Sequence, residues 1–428
     1  MVSKILEKIL GPAMAYPSYR AYWVGTLASV AGFQMLNFSQ FWIIHQLTQS
    51  PLYLGYVGLA NAIPSIVLNL FGGVIADRID RQRLIAITQT VNGALILVLA
   101  VLTAIELVEA WHVIALAFIA GAVNAFDQPA RQALYPGLIQ PKVMMNAVAL
   151  NTSIWTGTRI VAPAAAGLII TLAGTATSFL ISSAGFFTMA IIVLSLKVSS
   201  PERSQSSRIN DLIEGVRFIF KNNIFLFLIS MTFFISFFGM SYIPMMPVFA
   251  VEILKVGADG QGVLMGVGGL GALLTTMVLA RIGNFNQRGV LIIVGSFLFG
   301  SILATFALTS WAFENYHLAL TLMFLMGASS ATFMIPIMSS LQLMVPNNMR
   351  GRVMGFYGMT WSIMPLGGMY AGSLAGLTGR GIDGVPIAVA IGGILVALFA
   401  IGPALLNRNV RQVGLVVSQH QIDAESQG

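Results

Sequence analysis

Twelve apolar segments, each long enough to cross a membrane, constrain this chain more than any other feature of its sequence. A membrane-spanning helix needs about 20 mainly apolar residues, and the 428-residue chain has a mean hydropathy of +0.85. Only 9% of its residues are charged, whereas soluble proteins carry about 25%. We predict an all-helical, polytopic membrane protein with spans at roughly 20–45, 52–76, 84–105, 111–130, 147–172, 175–196, 224–250, 260–282, 289–310, 316–339, 353–378 and 385–406.

One long polar stretch divides the twelve spans into two sets of six. The sequences Phe126-Asp127-Gln128-Pro129 and Phe333-Met334-Ile335-Pro336 lie 207 residues apart and share their first and last residues. With the six-plus-six count, this echo favours two homologous bundles with pseudo-two-fold symmetry and a substrate site near the bilayer midplane. We predict a cytoplasmic interfacial segment at 1–19, a six-helix bundle at 20–196, a cytoplasmic linker at 197–223, a second six-helix bundle at 224–406 and a cytoplasmic tail at 407–428.

The lysines and arginines orient the chain in the membrane. With a cytoplasmic N-terminus, all of the 22 basic residues except Lys255, Arg380 and Arg159 fall on the cytoplasmic side. Since positive charge concentrates on that side, both termini are expected to be cytoplasmic. We expect a multi-pass protein of a bacterial-type cytoplasmic membrane, with the lipid bilayer as its surroundings.

Several classes of protein are excluded by composition and spacing. The net charge of +7 comes from basic residues that sit singly in loops, so we expect no nucleic-acid partner. The chain has no cysteine and four widely separated histidines, so we expect no disulfide and no metal site. Neither a phosphate-binding G-x-x-x-x-G-K-[ST] loop nor a nucleophile–base–oxyanion grouping occurs. We therefore expect a non-enzyme without a cofactor, which is not driven by an internal ATPase.

The loop after the second span reads Gly73-Val74-Ile75-Ala76-Asp77-Arg78-Ile79-Asp80-Arg81-Gln82-Arg83. It resembles the signature loop of the major facilitator superfamily, G-x-x-x-D-R-x-G-R-[RK]. Asp80 stands where glycine is usual, and Gln82 where a second basic residue is usual. The segments 127–136 and 350–355 look like the branch that includes the enterobactin exporter and macrolide efflux proteins. This resemblance implies a major facilitator fold and transport by alternating access.

The same loop suggests a cytoplasmic gate. An acid at the inner end of span 4 is costly unless it is paired, so we predict an ion pair between Asp127 and Arg81. Asp77 is expected to face the N-terminal end of span 11 near Arg352. Together with Gly73 and Arg78, these residues would form a latch that closes the cytoplasmic side. The alternative is that the charges only anchor the loop and set topology.

Arg159 lies near the middle of span 5, too deep to reach the membrane surface. A guanidinium there must face the bundle interior, a water-filled space or a counter-charge, and no acid is predicted at mid-membrane. Two roles remain open, a polar staple between helices and a group that acts in substrate binding or coupling.

Span 5 continues with a run of small residues that is similar to the G-P-x-x-G-G antiporter motif of exporters. Alanines replace two of the glycines of that motif at positions 162 and 166. Small residues allow helices to approach closely, so we predict that spans 5 and 8 pack together and bend. The residues assigned to packing or hinges are Pro163, Gly167, Gly268, Gly271 and Pro336.

The resemblance implies that spans 1, 4, 7 and 10 line the substrate cavity. Polar side chains in span 1 need partners, which are other helices or a ligand, and surfaces rich in methionine and aromatic residues adapt to varied apolar ligands. These side chains could equally face lipid or neighbouring helices. The candidates are Gln34, Asn37, Gln40, Asn124, Phe233, Phe237, Tyr242, Met326 and Met334.

We predict a monomeric secondary transporter that exports a hydrophobic or amphipathic small molecule, such as a drug, macrolide or siderophore. Proton antiport is implied by the resemblance only, because no acid lies at mid-membrane. A facilitator or importer without proton coupling is the alternative on the same fold. A non-transporting receptor or lipid-moving scaffold is a third interpretation.

Overall fold

The computed structural model describes residues 10–78, 80–196, 209–282, 288–346 and 349–406, without the side chains of 69–78, 209–213, 215, 350–351 and 403–406. Those residues are almost entirely helical, as predicted. Short 3-10 turns and one π-helical turn, Phe249–Ile253, connect the longer helices. The helices are α1 (Pro17–Thr48), α2 (Pro51–Arg78), α3 (Arg81–Ala104), α4 (Ala110–Leu134), α5 (Met144–Ser195), α6 (Ile209–Lys221), α7 (Asn223–Phe237), α8 (Tyr242–Val248), α9 (Gly257–Ile282), α10 (Arg288–Phe313), α11 (Tyr316–Met344), α12 (Arg350–Trp361), α13 (Leu366–Leu377) and α14 (Val385–Leu406).

In the described part of the chain, 9 segments are long and apolar enough to cross a membrane. One of them, Pro141–Ser195, is 55 residues long, which at about 1.5 Å per residue far exceeds the roughly 30 Å of a bilayer core. Its helix α5 breaks at Gly174, where φ is 82°, a backbone conformation that glycine adopts without a steric penalty. The break lies between the predicted fifth and sixth spans. The count of twelve spans stays a prediction.

The eleventh predicted span is interrupted, unlike its prediction as one segment at 353–378. Helix α12 ends at Trp361 and α13 begins at Leu366. Pro365 lies at this junction, and proline cannot supply the backbone N–H that a continuing helix needs. Apolar length alone cannot reveal such a break, because it does not depend on where the backbone hydrogen bonds are interrupted.

The chain forms two compact units. The first comprises residues 1–48, 60–207 and 257–266, and the second comprises 49–59, 208–256 and 267–428. Each unit therefore includes a short segment from the other half of the sequence. The predicted bundle boundaries at 20–196 and 224–406 stay a prediction.

Close contacts at glycine hold the first unit together. A Cβ placed on Gly93 of α3 would lie 3.1 Å from the ring of Phe187 in the second arm of α5. Gly185, in the same arm, meets the carbonyl oxygen of Ala28 in α1. Helices approach this closely only where a side chain is missing, so α1 and α3 both pack on residues 175–195.

The second unit repeats this arrangement at the same spacing of 207 residues. Gly300 of α10, the counterpart of Gly93, meets the backbone of Gly393 in α14. Gly392, the counterpart of Gly185, would place a Cβ 2.8 Å from the carbonyl oxygen of Phe238. The agreement between sequence spacing and packing supports the internal repeat predicted from the sequence.

A second pair of crossings follows the same repeat. In the first unit, Gly167 meets the backbone of Ala258 and Asp259 at the start of α9. In the second unit, Gly372 meets the backbone of Pro51 and Leu52 at the start of α2. Residues 51 and 52 are 207 positions before 258 and 259, so each short exchanged segment makes an equivalent contact inside its own unit.

Candidate functional site

A buried charged cluster joins three helices of the first unit. Arg131 Nε lies 2.6 Å from Asp127 Oδ2, one turn away in α4, and Asp127 and Arg131 are only 3% and 7% exposed. Thr88 Oγ1 and Gln89 Nε2, both in α3, donate to Asp127 Oδ1 at 2.7 and 2.9 Å. Arg131 Nη2 donates to Ser29 Oγ of α1 at 2.7 Å. We call these five residues the Asp127 cluster.

The predicted ion pair between Asp127 and Arg81 is wrong. Asp127 is paired with Arg131, and Arg81 Nη1 donates to the carbonyl oxygen of Ala133 at 3.1 Å. Helix α4 continues to Leu134, beyond the predicted end of span 4 at residue 130, and this extension brings Arg131 onto the face of Asp127. The spacing of four residues between them was the signal in the sequence that could have identified the pair.

The two departures from the superfamily loop have structural roles. Asp80 Oδ1 accepts hydrogen bonds from the backbone N–H groups of Gln82 and Arg83 at 2.9 and 3.1 Å, which caps the start of α3. Gln82 Nε2 donates to the carbonyl oxygens of Val193 and Leu196 at 2.7 and 2.9 Å. These carbonyls lie at the end of α5, where helical partners run out. The loop is therefore tied to the first unit by neutral and capping bonds.

The remaining gate residues are only partly described. Gly73, Asp77 and Arg78 belong to α2, and their side chains lie outside the described residues. Arg352 Nη1 lies 2.5 Å from Glu214 Oε2 of helix α6. The predicted approach of Asp77 to Arg352 stays a prediction.

Arg159 lies in the first arm of α5, and its side chain is exposed. Within the described part of the chain, its guanidinium makes no hydrogen bond and no ion pair. The staple interpretation requires a partner for this group, and the structure provides none among those residues.

The polar candidates of the first unit differ in burial and partners. Gln34 and Asn37 are half-buried, and neither makes a hydrogen bond within the described residues. Gln40 is buried. Asn124 accepts a hydrogen bond from Asn92 Nδ2 at 3.0 Å, a partner in α3 that sequence reasoning missed.

The aromatic and methionine candidates belong to the second unit. Phe233 stacks on Phe237, with ring centroids 6.1 Å apart. Phe237 also lines an open apolar cavity of about 510 Å³, together with Leu59, Leu366, Met369, Tyr370, Ser373, Leu374 and Leu377. Tyr242 and Met334 are half-buried, whereas Met326 is buried among its neighbours.

The predicted small-residue contact between spans 5 and 8 is observed for Gly167 but not for Gly268 and Gly271. The first arm of α5 does meet the start of α9, through Gly167 and through Gly262, which faces the carbonyl oxygen of Pro163. Gly268 and Gly271 lie instead against Met323 and Phe324 of α11, because they are on the other face of α9. Pro336 is buried within the continuous helix α11.

Comparisons with known proteins identify the family. A family model described as a transmembrane secretion effector matches residues 11–423, nearly the whole chain. The chain belongs to that family of major facilitator transporters. It is therefore a multi-pass membrane transporter and not an enzyme, and its resemblance to the enterobactin-exporter branch is confirmed.

Its relatives include siderophore transporters. The chain is 26% identical to a staphyloferrin A transporter of Staphylococcus aureus, covering 77% of this chain and 82% of the relative. It is 22% identical to an enterobactin exporter of Shigella flexneri, covering 80% and 81%. Its fold matches that of a bacterial homolog of the human lysosomal transporter Spinster, with a TM-score of 0.72 and 14% identity over 93% of this chain and 98% of the other.

Proposed function

We propose that this major facilitator protein exports an amphipathic small molecule in exchange for protons. The observation that carries the proposal is the Asp127 cluster, which holds a buried acid within a membrane-spanning helix. Acids in such positions are rare and commonly serve proton transfer. The name of the enterobactin exporter supports the outward direction and an amphipathic substrate.

The cluster offers a direct route from protonation to movement. Asp127 receives bonds from α3 and from Arg131, and Arg131 in turn binds Ser29 of α1. Neutralising Asp127 would weaken its charge-assisted bond to Arg131, which is roughly twice as strong as a neutral one. Loss of that bond would loosen the brace between α1, α3 and α4, so proton binding would change how these helices move.

A facilitator without proton coupling is the second candidate. It is favoured because Asp127 is already satisfied by Arg131, Thr88 and Gln89, an arrangement that a purely structural ion pair would also have. In that case the cluster would only hold the helices together.

Inverted membrane vesicles with an acid interior separate the two candidates. We expect hydrophobic dyes, macrolides or catecholate siderophores to dissipate the pH gradient in a protein-dependent way, and Asp127→Asn to abolish this effect. Asp383→Asn, an exposed position in the second unit, is the matched control and should leave it intact. Uptake of a labelled candidate without dissipation would instead establish the facilitator.

We also infer a monomer with both termini in the cytoplasm, in a bacterial-type cytoplasmic membrane. The distribution of basic residues supports this orientation. Protease accessibility of tags added at each end, in intact cells and in inverted vesicles, tests the orientation. Mass measurement of the protein in nanodiscs tests the monomer.

A further inference from the structure

Arg159 lies near the middle of a membrane-spanning helix, where a charged side chain is unfavourable. It lies in the first arm of α5, about 22 Å along the helix from the start at Met144 and a similar distance from the break at Gly174. A guanidinium at that depth is costly unless water or a counter-charge reaches it.

The exposed side chain of Arg159 lies away from the apolar face that the second half of its arm exposes. Beyond Arg159, the most exposed apolar residues of this arm are Val161, Leu168 and Leu172, at 66, 52 and 76%. At 3.6 residues per turn they share one face of the helix, and Arg159 falls roughly on the opposite face. Toward the start of the arm, the exposed Met145 and Thr152 lie on the side of Arg159, so the exposed face changes along the helix. Because a guanidinium at this depth avoids lipid, we take the exposure of Arg159 as exposure to the interior of the first unit.

Helix α9 covers this side of α5 from Ile160 toward Gly174, that is, on the C-terminal side of Arg159. Pro163 and Ala166, which share the side of Arg159, are buried, where Gly262 packs against the backbone of residues 163 and 164. The contact continues down to Ile160, whose carbonyl oxygen would lie 3.3 Å from a Cβ on Gly266. Arg159 is the next residue, so it lies at the point where the covered face opens.

The register of α1 against α5 places two amides near this point, Gln34 and Asn37, which make no hydrogen bond within the described residues. Helices α1 and α5 run parallel here, since Tyr19 Oη donates to the carbonyl oxygen of Ala147 and Trp23 Nε1 to that of Leu150. This register places Arg159 at the level of residues 31 and 32, within one helical turn of Gln34. Asn37 follows Gln34 by three residues on the same face.

Aromatic surface adjoins these polar groups. Phe33, next to Gln34, makes an edge-to-face contact with Trp155, with ring centroids 6.1 Å apart. Trp155 lies one turn before Arg159 on the same side of α5. A cation, two amides and two aromatic rings are thus available together on one face of the first unit.

The internal repeat shows that packing does not require a cation at position 159. The residue 207 positions later is Leu366, and the counterparts of Gln34 and Asn37 are Ser241 and Pro244. The glycine contacts around them are repeated in both units. The helix packing is therefore repeated in both units, whereas the arginine and the two amides occur at these positions in the first unit alone.

We propose that Arg159, with Gln34 and Asn37, binds a carboxylate of the transported molecule, and that Phe33 and Trp155 contact its apolar part. A guanidinium donates two parallel hydrogen bonds to a carboxylate, and one carboxylate neutralises the charge of Arg159. This proposal rests on the proposed transport of an amphipathic molecule and adds that the molecule is an organic anion.

A matched pair of ligands tests the assignment. The probe is 11-(dansylamino)undecanoic acid, and its methyl ester has the same apolar body without the charge. We expect purified protein in phosphatidylcholine nanodiscs to bind the acid at least about tenfold more tightly than the ester, measured by dansyl fluorescence. Arg159→Gln should remove this preference and leave the affinity for the ester unchanged.

Two further variants of Arg159 test whether the loss of binding reflects misfolding and whether charge alone is sufficient. Arg159→Leu, which introduces the side chain found at the repeat position 366, should fold with an unchanged melting temperature and lose the preference for the acid. Arg159→Lys should retain part of it, because the charge remains and the forked geometry is lost. Equal affinities of the wild-type protein for acid and ester would overturn the proposal, as would an equal loss for both ligands in Arg159→Gln.

The binding assay is separate from the transport assay. Preference for the acid without any effect on vesicle pH gradients would refute proton antiport and leave the carboxylate site standing. Proton-coupled export with no preference for the acid would do the reverse. If the preference disappears in nanodiscs that contain phosphatidylglycerol, the anion bound at Arg159 is a lipid phosphate, and the assignment to the substrate fails.

Discussion

Asp127 and Arg131 form an ion pair of 2.6 Å inside helix α4, with both side chains almost fully removed from solvent. Breaking a buried pair by removing one partner costs about 3–5 kcal/mol, because it strands the other charge. We therefore expect Asp127→Asn and Arg131→Gln each to lower stability by about 3 kcal/mol, measured by unfolding in detergent. The double variant should lose less than the sum of the two, whereas additive losses would show that the residues do not interact.

The crossing at Gly167 should tolerate no side chain. A Cβ there would meet the backbone of Ala258, so the helices must separate, and overpacking of this kind costs about 1–3 kcal/mol. Gly157→Ala, where nothing lies within 4 Å, is the control and should be neutral or stabilising by up to about 1 kcal/mol. Melting temperatures of the two variants decide the matter, and a Gly167→Ala protein as stable as the control would contradict this packing.

Asn146 fixes the entry to the first helix. Its Oδ1 accepts from the backbone N–H of Ala13 at 2.9 Å, and its Nδ2 donates to the carbonyl oxygen of Leu10 at 3.0 Å. Loss of these bonds in Asn146→Ala should cost about 1–2 kcal/mol and accelerate hydrogen exchange at the amide of Ala13. Thr152→Ala, an exposed residue that bonds only to its own helix, is the control. Unchanged hydrogen exchange at the amide of Ala13 would argue against this role of the Asn146 hydrogen bonds.

The cytoplasmic latch between Asp77 and Arg352 can be tested with a single reporter. The chain has no cysteine, so a Thr152→Cys protein carries one reactive thiol at an exposed position on the side of Arg159. If the latch closes the cytoplasmic side, Asp77→Asn should raise the rate of labelling from that side several-fold. Asp383→Asn should leave the labelling rate unchanged. An unchanged labelling rate in both variants would contradict the predicted latch.

The helix positions follow from the sequence because apolar length is a strong signal in a membrane. The break at Gly174 separates the predicted spans 147–172 and 175–196, and α3 and α14 begin or end within a few residues of their predictions. The repeat at 207 residues was visible in four residues of sequence and is matched by the glycine contacts of both units.

The partners of individual side chains did not follow from the sequence. Hydropathy ended span 4 before Arg131, since a charged residue lowers the local average, and the true partner of Asp127 was therefore assigned to a loop. Gly268 and Gly271 were paired with span 5 because small residues look alike in sequence. Which helix a glycine meets depends on the helix face on which it lies. Gly262 and Gly271 lie on opposite faces of α9 and meet α5 and α11, respectively.

Gly185 and Gly392 illustrate a wider consequence of the repeated contacts. At both sites the helices are held at a distance set by the backbone, which a change of neighbouring side chains cannot easily alter. The inward-facing side chains of each unit therefore do not determine the helix spacing. Homologous transporters can then exchange those residues and acquire new cargo without rebuilding the scaffold, so swapping residues such as 34, 37 and 159 among relatives is a rational way to redirect their specificity.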